Sequence, residues 1–220
     1  MAENKPKKDW TGNRQSVYSC MGARNFAEEE REENDYYATN PLAINALFRH
    51  EDFSDYIWEC ACGGGSLSAR MERYGKTVKS TDLIDRGYGT GGVDFLKQTD
   101  PFPGDIITNP PYKFTTEFIL KAYELTQNKV AMFLKLSALE GKERYQKIYK
   151  SIPPSDVYVF VDRLGCYKNG KFVDDADIAR GAVCFAWFVW KKNGGGTLPT
   201  IHWLPPSDLE DLDEYQTKLF

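Results

Sequence analysis

Short apolar runs alternate with amphipathic stretches along most of this chain. The apolar runs predict strands at residues 56–60, 76–81, 105–108, 130–136, 157–161, 182–190 and 200–204. Stretches between several of them repeat apolar side chains at helical spacing and predict helices at 41–49, 66–74, 115–126 and 142–150. Asn40 and Pro41 supply an N-cap and a first helical residue for the first of these helices. Strands that alternate with helices indicate an α/β fold with a mainly parallel sheet.

The two ends of the chain differ in character from its middle. Residues 1–34 are polar and lack periodicity, which predicts an N-terminal arm that is partly disordered. We expect one folded domain at 35–205 and an acidic C-terminal tail at 206–220. Within the domain, the aromatic run 185–190 is expected to be a core strand rather than a platform on which bases stack.

Composition indicates which cellular compartment and which kinds of site to expect. A hydrophobic content of 41% is typical of a globular domain with a real core. No apolar run approaches the roughly 20 residues of a membrane helix, and the lysine-rich start lacks the apolar centre of a signal peptide. Five scattered cysteines, with Cys60 and Cys62 lacking further ligands at zinc spacing, predict a reduced cytoplasmic protein without a metal site.

The histidine content and the net charge argue against two further classes of protein. The two histidines, His50 and His202, lie far from any candidate nucleophile, so histidine-dependent catalysis is not expected. A net charge of −4 argues against a protein that coats nucleic acid nonspecifically. An enzyme that contacts nucleic acid through one basic patch stays compatible with it.

A glycine-rich turn, Gly63-Gly64-Gly65, follows the first predicted strand and opens a helix. Glycines let a backbone turn sharply and approach a ligand closely, and such strand–turn–helix units bind nucleotide-like ligands. Ser68 replaces the third glycine of a dinucleotide fingerprint, and no Gly-Lys-Ser/Thr of a phosphate loop follows. A tight turn without a ligand is the alternative interpretation.

Acidic residues after the next strand favour a ligand. Asp82 ends the second predicted strand, where a carboxylate can accept hydrogen bonds from ribose hydroxyls, and Asp85 is a nearby competitor for this role. Asp94 is suited to accept from an adenine amino group, with Phe95 or Ile84 packing on the ring, although Asp94 alone is also typical of a loop cap.

Asn109-Pro110-Pro111-Tyr112 closes the strand at 105–108. By itself this run is compatible with a simple strand-terminating turn. In a parallel sheet, however, it lies at a strand end next to the glycine turn, so both face one crevice. This motif resembles the catalytic motif of amino-methyltransferases that act on adenine N6. Segment 59–68 resembles the cofactor motif of that family, and segment 35–39 resembles its N-terminal cofactor segment.

The order of these three segments resembles the gamma arrangement of the family, and the likeness to small phage and prophage DNA adenine methyltransferases runs from about residue 35 to 203. It implies a single Rossmann-like class I methyltransferase domain. It further implies a mostly parallel seven-stranded sheet with helices on both faces and an antiparallel C-terminal hairpin. The cofactor implied is S-adenosylmethionine.

The resemblance and the residue chemistry together nominate three sets of site residues. The catalytic set is the motif itself, Asn109, Pro110, Pro111 and Tyr112. The cofactor-binding set is Tyr37, Thr39, Glu59, Ala61, Gly63, Gly65, Asp82, Leu83, Ile84, Asp94, Phe95 and Asn109. The substrate-binding set, which includes a small recognition loop expected at 163–181, is Tyr112, Lys113, Lys142, Arg144, Lys168, Lys171 and Arg180.

Chemistry explains why an amino nitrogen needs this motif. An exocyclic amino group is a poor nucleophile because its lone pair is delocalised into the ring. The Asn109 side-chain oxygen and the Pro110 carbonyl can accept hydrogen bonds from its two N–H groups and so localise that lone pair. Tyr112 can stack on the target base, which must be flipped out of a duplex to reach the site.

The motif leaves the methylated molecule open. DNA is the expected partner, and an RNA base, a protein glutamine amide and a non-catalytic binding module are the alternatives. We expect a monomer or weak dimer in the cytoplasm, which is that of a bacterial host if the gene belongs to a phage or prophage. No membrane or metal partner is expected.

Overall fold

The computed structural model describes residues 37–164, 166–168, 183–192 and 198–210. Their strands are β1 (Tyr37–Thr39), β2 (Tyr56–Glu59), β3 (Thr77–Ser80), β4 (Asp105–Thr108), β5 (Lys129–Lys135), β6 (Asp156–Phe160), β7 (Cys166–Lys168), β8 (Phe185–Lys191) and β9 (Thr200–Leu204). Their helices are α1 (Leu42–His50), α2 (Ser66–Arg73), α3 (Thr115–Leu125) and α4, an α-helical turn (Lys142–Arg144) continued by a π-helical turn (Tyr145–Tyr149). Short 3-10 turns are Phe95–Lys97, Tyr112–Phe114, Leu136–Leu139 and Pro206–Leu209.

Seven of these strands form one mixed sheet in the order β3-β2-β4-β5-β8-β6-β9. Neighbouring strands from β3 to β5 are parallel, as are β6 and β9. β8 is inserted antiparallel between β5 and β6. The predicted mostly parallel seven-stranded sheet is therefore confirmed, and β6 and β8 are the antiparallel neighbours of its C-terminal part.

Two hydrophobic cores cover the two faces of this sheet, and neighbouring residues of one strand serve opposite cores. In β4, Ile107 packs with Leu47 of α1 and Met71 of α2, whereas Ile106 packs with Ile119 of α3. Because successive side chains of a strand point to opposite faces, a strand buried on both faces reads as a continuous apolar run. The aromatic run 185–190 is buried throughout, so its prediction as a core strand is confirmed.

Element boundaries agree with the predictions at some positions and differ at others. The predicted cap is confirmed, because Asn40 accepts a hydrogen bond from the Leu42 N–H at 2.9 Å. The strand predicted from residue 182 begins at Phe185, after exposed Val183 and Cys184. The predicted basic helix 142–150 has only one α-helical turn before the π-helical turn.

A second, two-stranded sheet falls on segments where no strand was predicted. β1 pairs antiparallel with β7, with Thr39 opposite Cys166. β7 lies in the segment 163–181, which was expected to be a loop, and that expectation is corrected for its three residues. Three residues are too few to show an alternating pattern, and the partner strand is more than 120 residues away in the chain.

The start of the predicted tail contacts the domain. Asn45 of α1 donates a side-chain hydrogen bond to the Glu210 carbonyl at 2.8 Å, and His50 lies 2.6 Å from a carboxylate oxygen of Asp208. Residues 206–210 are thus held against α1, while the boundary at 205 stays a prediction. None of the helices in the described ranges is long and apolar enough to cross a membrane.

Candidate cofactor and catalytic site

The candidate residues gather where the parallel strands β2, β3 and β4 end. Glu59 ends β2, Asp82 follows β3 by two residues, and Asn109 directly follows β4. The strand register places Glu59 beside Ser80 and Trp58 beside Ile106, so these strand ends are adjacent. Carboxyl ends of parallel strands form the ligand crevice of open α/β sheets, and the cofactor and catalytic motifs therefore share one edge.

The glycine turn needs its glycines for two reasons. Gly63 and Gly65 have φ values of 55° and 84°, which side-chain-bearing residues rarely adopt. In addition, a Cβ at Gly65 would lie 2.5 Å from the ring of Tyr88, which packs directly on the turn. Helix α2 begins at the next residue, Ser66. The turn therefore carries no side chains of its own at the two glycines, and the ring of Tyr88 packs on it where the predicted cofactor site begins.

Asp82 joins the glycine turn to the loop that follows β3. Its two carboxylate oxygens accept hydrogen bonds from the Gly63 N–H at 2.8 Å and from the Ile84 N–H at 2.9 Å. A carboxylate can accept about four hydrogen bonds, so these two leave capacity for ligand hydroxyls. An open depression of about 630 Å³ lies beside this loop and is lined in part by Thr81, Tyr88 and Val93.

Glu59 is a buried acid at the end of β2. It is 2% exposed and accepts a hydrogen bond from the Ser68 hydroxyl, which also lies 2.7 Å from the Ser80 hydroxyl. Burial raises the pKa of Glu59 from 4.5 to about 8, because the charged form loses its hydration. A cation arriving beside it would favour the charged form.

The predicted adenine contacts are only partly placed at the crevice. Asp94 accepts a hydrogen bond from the Leu96 N–H at 3.1 Å and so caps a 3-10 turn, as its alternative interpretation held. Phe95 is 2% exposed and packs between Trp58 and Phe118, with ring centroids at 5.2 and 5.0 Å. The ring of Phe95 belongs to the core, and half-buried Ile84 is the apolar candidate nearer the surface.

The remaining cofactor candidates differ in exposure. Ala61 is half-buried in the glycine turn, and Leu83 is 58% exposed. Tyr37 and Thr39 lie in β1, with Thr39 buried beside Asn109.

The Asn109–Tyr112 motif turns the chain from β4 into α3. Nδ2 of Asn109 donates a hydrogen bond to Oγ1 of Thr39 at 2.8 Å. The ring of Tyr112 lies 6.1 Å from that of buried Phe185, and Nζ of Lys135 lies 4.6 Å from its centroid. The motif is therefore held by β1 on one side and by β5 and β8 on the other.

Among the predicted substrate residues, the structure describes the side chains of Tyr112, Lys113, Lys142 and Arg144. Lys113 and Lys142 are exposed, on a turn and on α4 respectively. Arg144 donates hydrogen bonds to three carbonyl oxygens, those of Ser137, Ala138 and Glu140, so its guanidinium braces the loop after β5. Lys168 belongs to β7, while Lys171 and Arg180 lie outside the described residues.

Two residues of the site were missed by sequence reasoning. Lys135 ends β5, and the strand-end argument used for Asn109 would have found it. Tyr88 lies in a loop without periodicity, and no pattern indicates that its ring covers Gly65.

Metal ligation has no support among the residues that the structure describes. They contain no group of three histidine, cysteine or acidic side chains able to hold an ion. Burial raises the pKa of the Cys60 thiol well above its usual value and that of Cys62 to about 12, so both are protonated thiols at neutral pH.

No protein-family model matches the chain, and no curated protein matches it. Among solved structures, it is similar to the methyltransferase subunit of a type I restriction-modification system from Streptococcus thermophilus. That match has 13% identity and a TM-score of 0.53, and covers 78% of this chain and 47% of the other. A Vibrio vulnificus protein described as a modification subunit of a type I restriction enzyme matches with 10% identity and a TM-score of 0.51 over 93% and 55% of the two chains.

A Lactococcus lactis protein described as a hemolysin matches with 12% identity and a TM-score of 0.51, over 86% of this chain and all of the other. The chain spans about half the length of the two restriction-modification subunits. These likenesses show the fold, and the predicted Rossmann-like α/β fold is confirmed.

Proposed function

We propose that this chain is an S-adenosylmethionine-dependent methyltransferase that modifies an exocyclic amino nitrogen, namely N6 of adenine in DNA. The observation that carries the proposal is the position of Asn109 at the end of β4, one strand away from the glycine turn that follows β2. Methyl transfer to a planar nitrogen needs a hydrogen-bond acceptor next to a cofactor site, and this arrangement supplies both.

The residues at the strand ends suit a cofactor with a ribose and cationic groups. Gly63 and Gly65 give a turn without side chains, and Asp82 has acceptor capacity for hydroxyls. Glu59 is a buried acid that a cation would ionise. When bound, the cofactor supplies an activated methyl group on a sulfonium. The four residues named here would hold it at the edge of the sheet.

Activation of the substrate nitrogen falls to the motif after β4. The side-chain oxygen of Asn109 and the carbonyl of Pro110 would accept hydrogen bonds from the two amino N–H groups and localise the nitrogen lone pair. Pro110 and Pro111 restrict the backbone, which keeps these acceptors in place. The amino proton is lost after transfer, once the nitrogen has become acidic, so no strong general base is needed.

Three observations support DNA as the substrate. The motif resembles that of DNA adenine methyltransferases, and the fold is shared with a methyltransferase subunit of a restriction-modification system. The half-buried ring of Tyr112 is at hand for a flipped base, and exposed Lys113 follows it for a phosphate.

Methylation assays with labelled cofactor test the proposal directly. Parallel samples of DNA, RNA and cell-extract protein are incubated with the full chain, and digested products are identified by mass. We expect N6-methyladenine in DNA. Label found only in RNA, only in protein, or on cytosine would contradict the substrate assignment, and no label anywhere, despite cofactor binding, would favour a binding module.

Asn109→Ala tests the mechanism. The variant should still bind cofactor and lose methyl transfer by roughly a hundredfold or more, because an acceptor of the reacting amino group is removed. Asn128→Ala is a matched control. Asn128 is exposed and directly precedes β5, so it lies at the other end of the parallel strands from Asn109. An Asn109→Ala variant that methylates DNA as fast as the control would refute the assigned role.

A further inference from the structure

Thr39 contacts the catalytic candidate Asn109 from an element 70 residues away in the chain. Its hydroxyl oxygen accepts a hydrogen bond from Nδ2 of Asn109 at 2.8 Å. Thr39 is 3% exposed, so the contact is shielded from water, where a hydrogen bond is electrostatically stronger. The resemblance assigned Thr39 to the cofactor, whereas the structure directs its hydroxyl to Asn109.

The contact engages the nitrogen end of the Asn109 carboxamide. Rotation by about 180° around the last side-chain bond exchanges the carboxamide oxygen and nitrogen at little steric cost. One orientation offers an acceptor to a substrate amino group, and the other offers N–H donors that repel its N–H groups. In the structure Nδ2 is turned towards Thr39, and Oδ1 is turned away from it. This is the orientation that the proposed activation of the amino nitrogen requires.

The backbone of β1 keeps Thr39 in place. Thr39 lies opposite Cys166 in the antiparallel pairing with β7, and Ala38 and Asn40 on either side of it are buried. Asn40 in turn caps α1 through the Leu42 N–H. A paired strand on one side and a capped helix on the other leave the Thr39 backbone little freedom, so its hydroxyl is a fixed partner for Asn109.

We infer that Thr39 is a positioning residue for methyl transfer, whose hydroxyl holds the Asn109 carboxamide with Nδ2 towards Thr39 and Oδ1 away from it. The inference rests on the proposed function. Thr39→Val keeps the branched shape and removes the hydroxyl, and Thr39→Ser keeps the hydroxyl and removes a methyl group. In Thr39→Val we expect kcat to fall roughly tenfold to hundredfold, because Nδ2 loses its buried acceptor and the carboxamide can turn over.

Two further readouts separate positioning from general damage. The KM for DNA and the Kd for cofactor should change less than about twofold in Thr39→Val, because an orienting contact acts mainly on the chemical step. Thr39→Ser should regain most of the wild-type kcat. A Thr39→Val enzyme as fast as wild type would overturn the inference, as would an equal loss in Thr39→Ser.

The contact itself can be followed without activity. The side-chain amide resonances of Asn109, assigned by their loss in Asn109→Ala, should shift in Thr39→Val and stay near their wild-type positions in Thr39→Ser. Unshifted resonances in Thr39→Val would overturn the inference. If the wild-type chain methylates nothing, the proposed function fails, and the resonances still decide whether Thr39 orients Asn109.

Discussion

Glu59 should make the stability of this protein fall as the pH rises through the neutral range. Its carboxyl group is buried at the end of β2, and burial raises its pKa from 4.5 to about 8. Between these two pH values the folded protein binds a proton that the unfolded chain has already lost. Deprotonation therefore favours the unfolded chain, and the free energy of unfolding decreases with increasing pH.

The size of this effect follows from the two pKa values. At about 1.4 kcal/mol per pKa unit, the rise from 4.5 to about 8 corresponds to about 5 kcal/mol of stability lost between the ends of that range. Local rearrangement and water entry reduce this figure, so it is an upper limit. A small domain is stable by roughly 5–15 kcal/mol in total, and a loss of this order is easily measured.

Urea unfolding at a series of pH values from about 5 to 9 is the assay. Glu59→Gln cannot ionise, so the stability difference between it and the wild-type protein should change by several kcal/mol in favour of the variant as the pH rises. Glu117→Gln, a matched change at an exposed site on α3, should follow the wild-type profile. If wild type and Glu59→Gln gave parallel profiles, the reasoning about burial would be refuted.

Three further predictions follow from the same site. Gly65→Ala should destabilise the fold by roughly 1–3 kcal/mol and weaken cofactor binding, because Gly65 has a positive φ and lies under the ring of Tyr88. Gly64→Ala should destabilise the fold less, and equal unfolding midpoints for the two variants would contradict this. Arg144→Gln should lower the unfolding midpoint and leave the salt dependence of DNA binding unchanged, because its guanidinium binds backbone carbonyls. Lys142→Gln should leave the unfolding midpoint unchanged and reduce the salt dependence of DNA binding if Lys142 contacts phosphate. Cofactor affinity measured by calorimetry should rise between pH 6 and pH 9 in the wild type and stay flat in Glu59→Gln, because a cationic ligand favours the ionised carboxylate.

The fold was largely predictable because burial on both faces leaves a strong local signal. β4 and β9 have the predicted bounds, and the other strands of the large sheet begin and end within a few residues of them. Runs such as 130–136 are apolar because the central strands of the sheet are covered by a core on both faces. The order of the strands along the sheet is not encoded in any single segment, and it was not predicted.

The site was predictable at strand ends and unpredictable where distant segments meet. Asn109 directly follows β4 and Asp82 follows β3 by two residues, so their placement follows from the parallel sheet. The pairing of β1 with β7, which fixes Thr39, joins segments without periodicity. Phe95 and Arg144 were assigned to ligands by residue type, but packing against Trp58 and hydrogen bonding to carbonyls depend on the tertiary structure.

Carboxylates at the two ends of the parallel strands have different partners, and the difference bears on function. At the edge where β5 begins, buried Glu51 is paired with Lys129 at 2.9 Å and with Lys191, and although burial raises its pKa, their hydrogen bonds and that of Tyr158 lower it overall. These charges neutralise one another and serve stability.

At the opposite edge, Glu59 and Asp82 accept hydrogen bonds from a hydroxyl and from backbone N–H groups, and within the described residues neither takes part in an ion pair. N–H and O–H donors orient these carboxyl groups without supplying a counter-charge, and a cation bound beside Glu59 would favour the ionised form of its carboxyl group. A ligand that carries a sulfonium and an ammonium would supply positive charge beside these acids, as Lys129 and Lys191 do beside Glu51. S-adenosylmethionine therefore suits this end of the strands better than an anionic nucleotide.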